Sequence, residues 1–270
     1  MKPIKVAVHG AEGKVGRVLV AGLNREPGME LVGAVDMLAQ QENLPLPDGS
    51  GQVPFAATLE DLLSRCQPDV VVDFTVAKAT MPAVRAAAAH GVNMVIGTTG
   101  LSGDDLSEIS SLAQKNKVGV VVASNFALGA VLMMYLSRLA AKYMDYAEII
   151  ELHHNLKVDA PSGTALSTAR GMAASRGKPF LRPPVENKND AGFPSRGEQV
   201  DGINIHSVRL PGYAAHQEVI LGSAGQTLSI RHDTINRECY LPGVILAVKE
   251  VVKRQGLTYG LDSLLGLVEK

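Results

Sequence analysis

Two adjacent histidines, a lysine and a helix start lie within fifteen residues, in the segment Glu151-Leu-His-His-Asn-Leu-Lys-Val-Asp-Ala-Pro-Ser-Gly-Thr-Ala165. An imidazole can donate a proton near neutral pH, and Lys157 supplies a positive charge. The free backbone N–H groups at the start of a helix, here at Gly163 and Thr164, bind carboxylates. The segment therefore predicts a site that protonates a substrate carrying one or two carboxylates.

The residues before the histidines mix Ile and Leu with Glu over 147–152, a pattern typical of a half-buried strand. Adjacent strand side chains point to opposite faces, so only one of His153 and His154 can lead the chemistry, and the residues leave that choice open. A zinc site is disfavoured, because adjacent histidines diverge, HExxH is absent and neither cysteine is close in sequence. We predict no metal. Taken alone, each residue is more typical of a buried histidine, a surface lysine or an ordinary capped helix; the combination favours a site.

A glycine-rich turn follows the first strand-like run, residues 4–8, and leads into a helical pattern. In Gly10-Ala-Glu-Gly13-Lys-Val-Gly16 the first glycine permits a tight turn, the second lets backbone approach a pyrophosphate, and the third allows close helix packing. Asp36 ends the next strand about 20 residues later, where a carboxylate accepts hydrogen bonds from an adenosine ribose. These features predict a dinucleotide site, although such glycines can also serve tight turns alone.

Two further segments, Gly97-Thr-Thr-Gly100 and Ala123-Ser-Asn-Phe126, come at the ends of later predicted strands. Ligands of parallel sheets bind at the carboxyl ends of the strands, so these segments should converge with the glycine-rich turn. The predicted cofactor residues are Gly10, Ala11, Glu12, Gly13, Lys14, Val15, Asp36, Gly97, Thr98, Thr99, Ala123, Ser124, Asn125 and Phe126.

The acidic end of the second strand also bears on the choice of cofactor. Asp36 is followed by Met37, and the next Lys or Arg is Arg65. A 2′-phosphate would meet a carboxylate there without a guanidinium from the same loop, so we predict a preference for NADH over NADPH. Lys14 and Arg17 could still reach the phosphate, which would make the preference slight.

The first 126 residues alternate short β-branched runs with longer helical repeats, as in a parallel sheet covered on both faces. A helix, the histidine strand, a second helix and three closely spaced strands follow, and a last helix near 242–254 should return to the first domain. We predict an α/β fold, with a doubly wound, Rossmann-like dinucleotide-binding domain at 1–126 completed by 235–270. A smaller α+β substrate domain with a mixed sheet should span 127–234.

The composition bears on the partners of the protein. The 270 residues carry a formal net charge of −1 without a cluster of Lys and Arg, which argues against a nucleic-acid partner. Apolar runs such as 118–122 and 127–134 are too short, or too interrupted by Gly, to span a bilayer, which takes about 20 residues. Two distant cysteines and the lack of a hydrophobic leader indicate the cytoplasm.

The second half of the chain has two ambiguous features. Segment 178–201, rich in Pro, Gly and charge, is too long for an ordinary connector and predicts a mobile flap or an intersubunit loop. Arg209, His216 and Arg237 could line a substrate cleft, yet each is more typical of a surface or ion-paired residue.

Together these motifs resemble those of the bacterial 4-hydroxy-tetrahydrodipicolinate reductases, also called dihydrodipicolinate reductases, of the diaminopimelate route to lysine. The strongest match is His153-His154-x-x-Lys157-x-Asp-Ala-Pro-Ser-Gly163-Thr164. The glycine-rich turn and the segments at 97–100 and 123–126 match the family's cofactor segments in order and spacing, so the resemblance spans nearly the whole chain.

The resemblance implies that His153 is the proton donor, that Lys157 is a second catalytic group, and that His154, Gly163 and Thr164 bind a dicarboxylate. It implies hydride transfer from NADH or NADPH to a cyclic conjugated imine, and a homotetramer built through the second domain's sheet. Two alternatives remain open: a dehydrogenase of another amino or imino acid, and a non-catalytic dinucleotide sensor.

Overall fold

The computed structural model describes residues 2–181 and 196–267, which divide into two compact units. The boundaries fall between Leu128 and Gly129 and between Asn236 and Arg237, two residues beyond the sequence-based boundaries in each case. The first unit contains a large, mostly parallel sheet and the second a smaller mixed sheet, so the predicted fold class is confirmed.

The strands of the described residues are numbered along the chain. They are β1 (Ile4–His9), β2 (Met29–Val35), β3 (Asn43–Pro45), β4 (Gln52–Ala56), β5 (Val70–Asp73), β6 (Asn93–Ile96), β7 (Gly119–Val122), β8 (Tyr146–His153), β9 (Glu198–Val200), β10 (Ile203–Arg209), β11 (Ala215–Ser223), β12 (Gln226–Thr234) and β13 (Gly256–Tyr259).

The helices are numbered in the same way, and none within the described residues is both long and apolar enough to cross a membrane. They are α1 (Gly16–Arg25), α2 (Leu59–Leu63), α3 (Ala77–Ala89), α4 (Gly103–Asn116), α5 (Leu128–Ala141), α6 (Gly163–Arg176), α7 (Leu241–Val251) and α8 (Leu261–Leu264).

The sheet of the first unit has the order β13-β7-β6-β5-β1-β2-β4-β3, in which only the β3–β4 pair is antiparallel. Its central strands β5 and β7 are buried at every position, as expected for a sheet covered on both faces. The order reverses between β1 and β5, and such a switch point is where ligands bind. Gly10 follows β1 there, and a Cβ on it would lie 2.7 Å from the carbonyl oxygen of Phe74, which follows β5.

Three strands of this sheet were not predicted. β3 and β4 contain Pro45 and Pro54, and proline usually marks a break in a strand. β3 is the edge strand, and β4 lies between it and β2. β13 pairs with β7 at the opposite edge and is only four residues long. Gly119 at the start of β7 lets the end of α7 approach closely, because a Cβ there would lie 2.4 Å from the Val251 carbonyl oxygen. Short edge strands of this kind have too weak a pattern to stand out in the sequence.

The second unit has the strand order β12-β11-β8-β10-β9, with β8 and β10 parallel and the other pairs antiparallel. The mixed sheet is therefore as predicted. Apolar side chains of β8, α6, β10 and β11 form its core, with Ile149, Met172, Ile203 and Leu221 almost fully buried. Of the predicted flap at 178–201, residues 182–195 lie outside the described residues, so its role stays a prediction.

Candidate active site

The histidine pair lies where β8 ends. His153 is the last residue of the strand, and its side chain is 13% exposed. His154 follows the strand and is exposed to solvent. The two imidazoles therefore have different surroundings, in keeping with the predicted divergence, and the more buried one is that of His153.

His153 is bound to a buried carboxylate on its own strand. Its Nδ1 lies 2.5 Å from Glu151 Oε2, and the Glu151 side chain is fully buried. Burial opposes ionisation of Glu151, but hydrogen bonds from His153, Arg209 and Ser207 outweigh it and lower the pKa of Glu151 to about 2. An ionised carboxylate only accepts hydrogen bonds, so Nδ1 donates and Nε2 remains for proton exchange.

Arg209, at the end of β10, completes this cluster. Its Nη2 lies 2.7 Å from Glu151 Oε1 and its Nη1 lies 2.9 Å from Oε2, a bidentate pair. Nη2 also donates to the carbonyl oxygen of Asp159 at 2.7 Å. Sequence reasoning assigned no role to Glu151, although it stands two residues before His153 and must share its face. The partnership with Arg209 is non-local and has no sequence signal.

Lys157 is held within its own loop. Its Nζ lies 2.7 Å from Asp159 Oδ1, and the Lys157 side chain is 21% exposed whereas that of Asp159 is 59% exposed. The hydrogen bond with Lys157 lowers the pKa of Asp159. The ammonium group thus already binds a carboxylate, which is the chemistry expected of it toward an anionic substrate.

Helix α6 begins where the sequence predicts. Ser162 precedes it and caps it, because its hydroxyl accepts the Ala165 N–H at 3.2 Å, while the Ser162 N–H donates to Glu151 Oε1 at 3.3 Å. A Cβ on Gly163 would meet no atom within 4 Å, so packing does not require glycine there. The open space beside the first-turn N–H groups of Gly163 and Thr164 suits a carboxylate.

The glycine-rich turn lies between β1 and α1 in the first unit. Gly10 has a left-handed backbone with φ of +85°, and a Cβ on Gly16 would lie 1.9 Å from the Gly10 carbonyl oxygen, so both positions require glycine. Val15 precedes the helix and has no polar side chain to cap it. The Arg17 N–H already donates to the Gly13 carbonyl oxygen at 3.0 Å, and the other first-turn N–H groups are suited to a pyrophosphate.

Asp36 links the turn to the end of β2. The residue is 8% exposed, and its carboxylate accepts the N–H of Glu12 at 2.9 Å and the N–H of Leu38 at 3.0 Å. The Glu12 carboxylate accepts from Arg17 at 2.6 Å, so this cation is engaged.

A cavity of about 630 Å³ opens beside Met37, next to Asp36. Its walls come from the ends of β1, β2 and β4 and from α2 and α3, and they are mainly apolar, as an adenine ring requires. Its lining residues are His9, Met37, Ala57, Thr58, Leu59, Glu60, Ala79, Pro82, Ala83, Arg85, Ala86 and Ala89.

The segment at 97–100 is tied to a buried acid that sequence reasoning missed. The Thr98 hydroxyl donates to Asp73 Oδ2 at 3.1 Å and accepts the Thr75 N–H at 2.8 Å. Thr80 donates to the same fully buried carboxylate at 2.5 Å. The Thr98 side chain is thus used inside the protein, and this part of the predicted site can offer a cofactor mainly its backbone and Thr99. The polar Asp73 at the end of an otherwise apolar strand was the available signal.

Most side chains of the segment at 123–126 pack or form hydrogen bonds inside the protein. Ala123 and Phe126 are each 1% exposed, and the Phe126 ring packs against that of Phe74 at 5.4 Å. The Asn125 side chain accepts the Ala127 N–H at 2.9 Å, and Ser124 is exposed. All predicted cofactor segments follow β1, β2, β6 and β7, so they share one edge of the parallel sheet. Within the described residues no group of three His, Cys, Asp or Glu could hold a metal ion.

Comparison with known proteins supports the family resemblance over nearly the whole chain. Residues 4–126 match the family described as dihydrodipicolinate reductase, N-terminus, and residues 129–265 match its C-terminus. A 4-hydroxy-tetrahydrodipicolinate reductase from Dehalococcoides mccartyi is 56% identical over 267 residues, which cover 99% of this chain and 100% of that protein. The protein of the same name from Moorella thermoacetica is 46% identical over 97% of this chain and 98% of its own length.

Solved structures show the same likeness. The dipicolinate-bound dihydrodipicolinate reductase from Paenisporosarcina sp. TG-14 superposes with a TM-score of 0.85 at 39% identity, covering 97% of this chain and 99% of that one. An amine dehydrogenase from Mycobacterium smegmatis, with a TM-score of 0.64 at 16% identity, shares the fold alone. The two family matches and the near full-length identities establish that this chain belongs to the dihydrodipicolinate reductase family.

Proposed function

We propose that this chain is a 4-hydroxy-tetrahydrodipicolinate reductase, which uses NAD(P)H to form tetrahydrodipicolinate in the lysine and diaminopimelate pathway. The observation that carries the proposal is the contact between His153 and the buried Glu151, in the same short segment as Lys157 and the start of α6. Relatives at 56% and 46% identity bear this name.

The second unit supplies the groups that a cyclic diacid needs. Lys157 is a cation that already binds a carboxylate, and α6 begins at Gly163, where the position of a Cβ is open space. His154, exposed beyond the strand, is a further donor for the same ligand. A related reductase is known with dipicolinate, a diacid, bound.

His153 is the proton donor in this proposal. Loss of water from the 4-hydroxy compound gives a conjugated imine, and its reduction requires one hydride and one proton. When bound, the reduced nicotinamide supplies the hydride. Because Glu151 accepts the Nδ1–H, the proton transferred is the second proton of the imidazolium form, on Nε2, and His153 is left as the neutral Nδ1–H imidazole. Lys157 neutralises the charge of the substrate carboxylate.

We further propose that NADH is preferred to NADPH, although both can serve. The Asp36 carboxylate would face the adenosine ribose and repel a 2′-phosphate. Two nearby guanidinium groups are already engaged, since Arg17 binds Glu12 and Arg85 binds Glu108 at 2.6 and 2.9 Å. Lys14 remains the candidate partner of that phosphate.

The proposed assembly is a homotetramer formed through the second unit's sheet, in the cytoplasm, where the reduced cofactor is available. β12 lies at the edge of that sheet and exposes Leu228, and an edge strand offers unpaired N–H and C=O groups to a second chain. Mass measurement in solution would test the assembly, and fractionation of cells would test the compartment.

The decisive experiment couples the protein to the preceding synthase, with pyruvate and aspartate semialdehyde, and follows the absorbance of NADH. We expect substrate-dependent oxidation, and His153→Gln should lower kcat by about 100-fold or more. The dissociation constant for NADH should change little, because the first unit is untouched.

The two alternative functions give different results in the same assay. A dinucleotide sensor would bind NADH tightly without oxidising it. A dehydrogenase of another imino acid would turn over only when its own substrate replaced the synthase product. Undiminished turnover by His153→Gln would contradict the assigned proton donor.

A further inference from the structure

Glu151 is a buried carboxylate on which three elements converge. It contacts His153 on its own strand β8, Arg209 on β10, and the N–H of Ser162 before α6. Its side chain is fully buried, so no solvent shares in these contacts. One carboxylate thus connects the proposed acid to the helix start proposed to bind the substrate.

The backbone pairing of the sheet sets this arrangement. In the parallel pairing of β8 with β10, Glu151 lies opposite Ser207 and His153 lies opposite Arg209. Residues two apart on a strand share a face, so all four side chains lie on the same face of the sheet. The geometry therefore does not depend on the reach of flexible loops.

Electrostatics explain why both His153 and Arg209 bind the carboxylate of Glu151. A buried carboxylate bound only to a histidine could take the proton from it, because burial favours the neutral forms of both groups. The bidentate pair with Arg209, at 2.7 and 2.9 Å, stabilises the carboxylate as an anion. Glu151 then remains an acceptor of the His153 Nδ1–H.

We propose that Glu151 is the positioning residue of His153, and that Arg209 keeps Glu151 in its accepting form. The inference rests on the proposed role of His153 as proton donor. Glu151 fixes the imidazole ring so that Nε2 presents the proton, and its contact with Ser162 holds the ring in register with the first turn of α6.

The first test is Glu151→Gln, which keeps the size of the side chain and removes its charge. We expect kcat to fall by about 100-fold, while the KM for NADH changes by less than about threefold. Glu151→Asp, which retains the charge, should recover part of the lost kcat. The matched control is Glu148→Gln on the opposite face of β8, where Glu148 binds His206 at 2.8 Å; it should keep wild-type kcat.

A second variant distinguishes loss of His153 positioning from a general perturbation of the fold. Glu151→Gln alone leaves the Arg209 guanidinium without its partner, which could perturb the fold. Combining it with Arg209→Met removes that unpaired charge. We expect the double variant to stay as slow as Glu151→Gln, with wild-type circular dichroism. Recovery of wild-type kcat in the double variant would overturn the inference.

The nitrogen resonances of ¹⁵N-labelled His153 give a readout independent of turnover. In the wild type Nδ1 should stay protonated whether or not Nε2 carries a proton, whereas the neutral imidazole of Glu151→Gln should show a mixture of both tautomers. Identical His153 spectra of the wild type and Glu151→Gln would overturn the positioning role. So would an unchanged kcat of Glu151→Gln, provided that the wild type oxidises NADH. A wild type that fails to oxidise NADH but shows the protonated Nδ1 would instead contradict the proposed function alone.

Discussion

Asp159 Oδ1 lies 2.7 Å from Lys157 Nζ, so the loop that carries the proposed substrate-binding cation also supplies it with a carboxylate. A substrate carboxylate must therefore replace Asp159 or share the ammonium group with it. Asp159 is the more exposed partner, and an exposed ion pair is weak, so displacing Asp159 costs little.

Lys157→Gln should raise the KM for the diacid substrate by roughly tenfold to 100-fold, because a hydrogen bond to a charged group is lost. The KM for NADH should stay unchanged. Asp159→Asn is the matched control, and it should not raise the substrate KM, since the ammonium group is then left to the substrate. Steady-state kinetics with each substrate varied in turn would check this, and equal KM increases in both variants would contradict it.

Gly163→Ala should fold normally and bind substrate poorly. A Cβ at Gly163 would meet nothing within 4 Å, and alanine is the better helix former by up to about 1 kcal/mol, so the melting temperature should not fall. The methyl group would instead fill the space beside the first-turn N–H groups and raise the substrate KM. Calorimetry and kinetics together test this, and an unchanged KM would remove Gly163 from the proposed site.

Gly16→Ala, unlike Gly163→Ala, should destabilise the fold and weaken the binding of NADH. Its Cβ would lie 1.9 Å from the Gly10 carbonyl oxygen, so the turn between β1 and α1 must move. We expect loss of NADH affinity, measured by fluorescence titration, together with a lower melting temperature. Retention of wild-type NADH affinity would show that this turn does not bind the pyrophosphate.

Cofactor choice should respond to two residues in opposite ways. Asp36→Ala removes the carboxylate proposed to bind the ribose, so kcat/KM for NADH should fall and the NADPH to NADH ratio should rise by about tenfold. Lys14→Ala should lower kcat/KM for NADPH and leave that for NADH nearly unchanged. If Lys14→Ala affected both cofactors equally, the lysine would contact a part that they share.

Acid should destabilise the second unit through Glu151. Its pKa in the folded protein is about 2, below the ordinary 4.5, so its ionised form stabilises the fold above about pH 4.5 and that contribution is lost as the pH falls toward 2. The full contribution is on the order of 3 kcal/mol, of which roughly 2 kcal/mol is lost by pH 3. Urea unfolding of wild type and Glu151→Gln at pH 6 and pH 3 should give free energies that converge at the lower pH. A constant difference would contradict the ionised, buried state.

Several features of the protein could be predicted from local sequence alone. The glycine-rich turn, Asp36 at a strand end, and the capped start of α6 all depend on neighbours a few residues away. Their patterns can therefore be recognised in the sequence. Five of the six inner strands of the large sheet, β1, β2, β5, β6 and β7, are short apolar runs rich in Val, which is why they were predicted. The segment at 153–164 is also contiguous, so its resemblance to one reductase family could be recognised from the sequence.

Only the tertiary structure decided which polar groups meet. Glu151 and Arg209 are 58 residues apart and become partners because β8 pairs with β10 in parallel register. Thr98 and Asp73, 25 residues apart, likewise meet only once two strands lie side by side. Local sequence patterns record backbone preferences, whereas contacts between distant strands follow from the packing of a common core, and that packing has no one-residue signature.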